Sequence, residues 1–349
     1  MNARRLSQGF ERPTTFSPIN SNLSGVQEDL KTPNVQQWNL SIQREITSST
    51  VLTVGYVGSK STHAGYSRDI NAPVPGAGAL PPRRAYPQFA TIAFYTTDSN
   101  ANFNTLQLVL EKRMSKGLVL QGSYNWAHCI NDANTLPLQG DGGVQNPWNR
   151  RADRGNCEYD IRQRFVTTAS YRLPFGRGRR FLHDPNPVAA AVVDGWQLNS
   201  VLNLYTGFYF TPLQGVNTLN STLSQRPDLV AGCDPNLPAS QRSPSRWFNP
   251  ACFSTPAAFT FGNAGRNILL GPHTAQLDVS LFKDIEIRRD AKVRGQFRAE
   301  AFNVTNTPQL NNPANVIGTA DAGTISNAGS PGSFARTQRQ LQLSLRIAF

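Results

Sequence analysis

The eleven residues that close the sequence, Arg339-Gln-Leu-Gln-Leu-Ser-Leu-Arg-Ile-Ala-Phe349, space their large apolar side chains two positions apart. Leu341, Leu343, Leu345, Ile347 and Phe349 share one side of an extended chain, and Gln340, Gln342, Ser344 and Arg346 share the other. A helix, with its repeat of 3.6, cannot sort residues in this way, whereas successive side chains of a strand point to opposite faces. The same period recurs upstream. Trp38, Leu40 and Ile42 alternate with polar residues, as do Leu106, Leu108 and Leu110. So do Leu118, Leu120, Gly122, Tyr124 and Trp126, then Phe165, Ala169 and Tyr171, then Trp196, Leu198, Leu202 and Leu204. No stretch has a convincing amphipathic helical pattern.

The period predicts nine strands, near 35–46, 50–58, 103–113, 118–128, 161–173, 195–210, 275–287, 291–303 and 339–349. Most reach ten residues, well beyond the ordinary globular strand of about five or six. The connections alternate between short and long. Turns at 47–49, 114–117 and 288–290, with a moderate connection at 174–194, separate the long segments 59–102, 129–160, 211–274 and 304–338. Structureless loops of that length argue against a compact soluble domain. They are ordinary in a transmembrane β-barrel, which has tight turns on one rim and long extracellular loops on the other. Ten residues at a rise of ~3.3 Å, tilted by about 40°, span roughly the 25 Å apolar band of such a wall.

The expected architecture is all-β: a partial antiparallel transmembrane β-barrel of about nine long strands, with short turns alternating with long extracellular loops. Tyr124 and Trp126 end one lipid-type face, Trp196 begins another that Phe208 and Phe210 close, and Phe349 ends the last, in the manner of interfacial aromatic girdles. A soluble sandwich would share the period, but its opposite faces would not carry Gln, Asn, Ser, Arg and Glu as a water-filled lumen does. Helices do not offer another route across a membrane. The longest purely aliphatic run, Val188 to Val193, has six residues, against the ~20 that a spanning helix needs. Residues 1–20 show no apolar segment of a secretory signal, so the chain is either cytosolic or lacks the start of its gene product.

The 349 residues carry 34 Lys and Arg against 22 Asp and Glu, a net charge of +12. This admits nucleic-acid binding as a rival reading, but the basic residues are spread through loops, turns and polar strand faces rather than gathered on one strip. A soluble secreted all-β binding module, for instance for glycans, is the other rival. Detergent dependence separates the barrel from both, and a steep salt dependence marks the nucleic-acid binder.

Little catalytic chemistry is on offer. His63, His128, His183 and His273 are isolated and none has metal-ligand spacing. Gly176-Arg-Gly-Arg-Arg180 has the look of a phosphate loop but lacks a third glycine and a following helix. No Gly-x-Ser-x-Gly elbow occurs. Asp278 and Glu300 sit on polar strand faces beside Arg294 and Arg298, where paired lumen charges explain them more simply than acid–base catalysis. The chain is therefore not expected to be an enzyme, and no cofactor or metal is expected. Cys129 and Cys157 share one long loop, and Cys233 and Cys252 share another. That partition predicts one disulfide within each loop in an oxidising compartment, each contributing ~3 kcal/mol in the chain-entropy account.

Several ordered segments carry a family resemblance. Ala152-Asp-Arg-Gly-Asn-Cys-Glu-Tyr-Asp-Ile-Arg-Gln-Arg-Phe165, Ser170-Tyr-Arg-Leu-Pro-Phe-Gly-Arg-Gly-Arg-Arg180 and Gly195-Trp-Gln-Leu198 are three of them. Trp247-Phe-Asn-Pro-Ala251, Phe261-Gly-Asn-Ala-Gly-Arg-Asn267, Asp278-Val-Ser-Leu-Phe-Lys283 and Phe297-Arg-Ala-Glu-Ala-Phe-Asn303 complete the series. Together they resemble the Oar-like TonB-dependent receptors, from about residue 30 to the end of the chain. The resemblance implies a 22-stranded plugged transporter of the cell outer membrane, with this chain supplying its closing strands. Residues 1–33 would then be an irregular extracellular lead-in and 34–349 the C-terminal part of the barrel.

The plug, the TonB-contacting segment and a signal peptide are not among these residues, and an odd number of strands does not close a bacterial barrel, so a fragment or truncated product is expected. The implied partners are outer-membrane lipid and lipopolysaccharide, the barrel assembly machinery, an unidentified ligand, and TonB only through the N-terminal region; no nucleic acid is implied. Barrels of this kind also resemble one another in a terminal signal of polar, x, Gly, x, x, aromatic, x, aromatic. Here it falls on Gln342, Ser344, Ile347 and Phe349, with Ser and Ile in place of Gly and the inner aromatic. The ligand-binding residues are not readable from the sequence.

Overall fold

A computed structural model describes residues 22–133, 144–182, 185–288, 293–329 and 338–348. Phe349 and His183 therefore lie outside the described residues. The described chain forms one sheet of nine long strands in simple sequential order: β1 (Asn34–Thr47), β2 (Thr50–Asp69), β3 (Ile92–Ser115), β4 (Leu118–Asn131), β5 (Gln163–Arg172), β6 (Trp196–Tyr205), β7 (Thr274–Arg288), β8 (Val293–Phe302) and β9 (Gln340–Ala348). Each pairs antiparallel with the next. The sheet is open in the described residues: β1 and β9 each end the row of nine.

Short turns hold this meander in register. Lys116 and Gly117 both have positive φ between the paired Ser115 and Leu118. This is the two-residue hairpin whose twist matches that of the flanking strands, and Gly makes the second position accessible.

Directly opposed residues of an antiparallel pair share a face, so the registers fix both surfaces of the wall. One row runs Leu40, Tyr56, Leu106, Trp126 across β1 to β4. Another runs Tyr124, Phe165, Leu204 across β4 to β6. A third continues through Leu198, Leu281, Ala299 and Leu343. The opposite surface carries Arg172, Gln197, Phe282, Arg298 and Ser344 in one row, and Ser170, Asn199, Ser280, Glu300 and Gln342 in the next. The apolar surface is not folded over a core. Leu341 (75%), Leu343 (71%) and Leu345 (66%) are open along β9, as an unbroken face awaiting lipid would be.

Four features depart from the sequence expectation. Within the expected irregular lead-in, Leu23–Val26 form a short strand paired parallel to Ile92–Tyr95 at the edge of β3. β2 and β3 each extend about eleven residues past the expected strand ends, so much of 59–102 is hairpin, irregular at Ser61, Ala64 and Tyr66. Both faces of that extension are polar, which erased the period-two signal. β6 ends at Tyr205, and Phe208 and Phe210 do not close its face. Tyr209 and Phe210 pair instead with Leu270 and Leu269, and Phe210, 1% exposed, is buried among loops. Finally, a seven-residue helix, α1 (Pro187–Val193), occupies the aliphatic run within 174–194, with the Asn186 side chain accepting from the Ala189 amide at its start. Among the described residues no helix is long and apolar enough to cross a membrane.

Candidate ligand-facing surface

Nearly all fully buried apolar side chains lie on the long-loop rim rather than on the wall. Phe210, Phe248, Phe253, Ala264, Leu269 and Ile317 form one cluster, and Ala72, Leu219 and Leu223 a second. Phe248 meets Phe210 and Phe253 edge-on at 6.1 and 6.2 Å, a favoured aromatic geometry. Described parts of 59–102, 211–274 and 304–338 thus pack into a cap with cores of its own.

Polar staples join the loops. Arg226 meets Asp153 at 3.1 Å with both side chains buried, and the Gln145 amide oxygen accepts from the Arg226 backbone amide while its nitrogen donates to the Gly262 carbonyl. Burial pushes the Asp153 carboxyl above its ordinary value, against the opposing pull of Arg226. Arg266 donates to the Asp153 and Asn131 carbonyls at 2.7 and 2.9 Å. Asn156 and Asn267 each donate a side-chain N–H to the other's backbone carbonyl, at 3.0 and 2.7 Å. The Asn71 amide gathers the carbonyls of Tyr86, Phe89 and Ala90.

The segments 152–165 and 261–267 therefore meet in space. Asp153, Arg226 and Arg266 were not legible as a group, because they lie in three stretches of loop without periodicity. Asn131–Arg266 contacts also tie the cap to the top of β4.

Both expected bridges form: Cys129, which lies in β4 rather than in a loop, is bonded to Cys157, and Cys233 is bonded to Cys252 within 211–274. Non-reducing peptide mapping of exported protein is expected to recover these two linked pairs, and four alkylatable thiols would contradict it. Two recesses open on the cap. One, of about 410 Å³, is lined by Ile70, Val74, Arg84 and half-exposed Trp148; the other, of about 470 Å³, lies beside Cys233, Asp234 and Ile268.

The four charged residues expected in the lumen lie on the polar face, and the structure gives the residues around them other partners. Asp278 accepts from the Asn303 backbone amide at 2.7 Å and from the Gln276 side chain. Arg298 donates to Gln296 and stacks over Phe282 at 4.6 Å. Glu300 stands between Ser280 and Gln342, and Arg294 opposite Ala348. Among the described residues no ion pair joins Asp278 or Glu300 to Arg294 or Arg298. Gln342 and Ser344 take the polar face of β9 and Ile347 the apolar one; Phe349 is not described. Gly176-Arg-Gly-Arg-Arg180 forms a tight turn on the short-turn rim; contrary to the expectation that no helix follows, α1 begins at Pro187, with Asn186 capping its first turn.

An open antiparallel wall with one lipid-type face, one polar face and a folded loop cap defines an outer-membrane β-barrel protein. The sequence agrees: the outer membrane beta barrel domain family matches residues 2–342, and the chain belongs to that family. Its location is the outer membrane.

No curated protein matches the chain in sequence. Among solved structures, the outer membrane transporter YddB from Escherichia coli is similar in fold, with a TM-score of 0.51 at 10% identity over 94% of this chain. BauA, the ferric preacinetobactin receptor from Acinetobacter baumannii, aligns at a TM-score of 0.39 and 10% identity, covering 90% of this chain and 29% of that one. The chain spans about a third, 34%, of the length of YddB.

Proposed function

We propose that the chain is the C-terminal part of the wall and the ligand-facing cap of an Oar-like TonB-dependent receptor. One observation carries this reading: the long connections fold together on one rim above a wall that is apolar on one face and polar on the other. Such a cap offers recesses to a ligand outside the cell, and the polar rows below it offer a wet surface for passage. In the longer receptor proposed here, further strands and a plug would complete the nine-strand sheet, which is open among the described residues. TonB would act through that N-terminal region, so energised uptake belongs to the whole receptor. No residue here is assigned a catalytic or cofactor role. Loop arginines suit the phosphates of lipopolysaccharide.

The test is genetic. Loss of the receptor gene and loss of TonB are expected to abolish uptake of the same nutrient in a transport screen. Uptake lost with the receptor but untouched by loss of TonB would overturn the energised reading. We further propose that the C-terminal signal is read by the assembly machinery. Deleting Phe349 from the full receptor is then expected to reduce sharply its heat-modifiable, membrane-inserted form, and normal insertion would remove that role.

A further inference from the structure

The connection 174–194 is longer than the other turns on its rim and holds a helix. It begins with a hairpin whose Phe175 and Phe181 rings pack at 5.9 Å. At its tip are Arg177, Arg179 and Arg180, all exposed. Gly176 has φ of +106°, and a Cβ there would collide with the Asp194 carboxylate. That carboxylate accepts from the Arg177 amide at 2.8 Å, which locks the hairpin to the far end of the segment.

Then comes α1, whose outward positions are Val188, Ala191 and Val192. Spaced i, i+3 and i+4, they form one helical face. Val188 is 78% and Val192 64% exposed, while Ala190 behind them is buried.

The position of this face is fixed by Trp196. Its indole N–H donates to the Val192 carbonyl at 2.7 Å, and Lys283 stacks on its ring at 5.4 Å while donating to the Asp194 carbonyl. Trp196 and Lys283 are an opposed pair on the apolar surface of the wall, in register with Leu198 and Leu281. The exposed face of α1 is therefore continuous with the lipid-facing surface, at the level where an interfacial tryptophan ends it.

We infer that residues 174–182 and α1 form an interfacial anchor seated on the phospholipid leaflet at the short-turn rim. Val188, Ala191, Val192, Phe175 and Phe181 enter the boundary of the acyl chains. Arg177, Arg179 and Arg180 meet the phosphates of anionic headgroups, the arrangement of an amphipathic helix lying in a membrane plane. The inference rests on the barrel spanning the outer membrane with its short turns on the phospholipid side.

The test places a nitroxide at Val192→Cys in the full chain, folded into vesicles of phosphatidylethanolamine and phosphatidylglycerol, with labels at Leu202→Cys and Val216→Cys as lipid and water references. The expected result is that the Val192 label, like Leu202, collides with oxygen in preference to a water-soluble nickel chelate. Replacing Arg177, Arg179 and Arg180 together by Gln is expected to shift it toward water. A Val192 label open to the chelate while Leu202 stays in lipid would overturn the anchor alone. A label closed to both agents would mean that protein, not lipid, covers the helix, and would also overturn it. A Leu202 label open to water would instead refute the spanning wall.

Discussion

Leu202→Arg is expected to abolish most assembly of the protein into the outer membrane, whereas Asn203→Arg next to it leaves assembly nearly intact. Leu202 lies opposite Leu277 on the apolar surface, and Asn203 lies opposite Gln276 on the polar one. An arginine held in lipid near the midplane costs roughly 2–4 kcal/mol, and one in a wet lumen costs little. Leu120→Arg and Gln121→Arg on β4 form the same contrast, through Ala169 and Thr168 on β5. Heat-modifiable migration and fractionation with outer membranes read the result. Equal damage from both residues of a pair would mean that both faces are packed in protein, and would sink the lipid assignment.

The second large effect is expected at Asp153. Its carboxylate faces Arg226, which is itself nearly inaccessible to solvent. Removing one member of a buried ion pair costs about 3–5 kcal/mol, because the other charge stays desolvated. Asp153→Ala is therefore expected to raise the rate of proteolytic cutting in 211–274 by at least about a hundredfold, the population ratio that about 3 kcal/mol implies. The wall should remain heat-modifiable.

Asp153→Asn, which keeps the polar shape, should be milder, since burial already disfavours the ionised carboxyl. The sign with pH follows. The folded carboxyl titrates above the unfolded one, so its contribution to stability is present at acid pH and lost as pH rises through that window. Native-like resistance of Asp153→Ala would show that the staple does not hold the cap.

The parts of the fold that were legible in the sequence are those where water and lipid lie on opposite sides of one strand. Leu341 to Ile347 alternate because their neighbours face a lumen, and β1, β4, β7 and β9 accordingly end within about two or three residues of their expected bounds. Where polar residues stand on both faces, as at Ser59 to His63 and Thr96 to Asn100, alternation carries no information, and the sequence alone does not reveal the hairpin extension. Phe210 misled for the opposite reason. Apolar spacing matched a girdle, but long-range pairing with Leu269 drew it into the cap. The contacts of Asp153, Arg226 and Arg266 span more than seventy residues of sequence and leave no local trace.

The overlong β2–β3 hairpin raises the loops well above the wall. Eleven residues beyond the expected strand ends correspond to about 36 Å of extended chain at a rise of ~3.3 Å. At a tilt of about 40°, this lifts the tip some 28 Å above the apolar band, about the height of the band itself. Arg68 donates to the Pro147 carbonyl, and Arg150 pairs with Asp98 and Asp132, so neighbouring loops are lashed to this stem. The stem works as a mast. It holds the recess beside Trp148 about one band-height beyond the apolar surface of the wall.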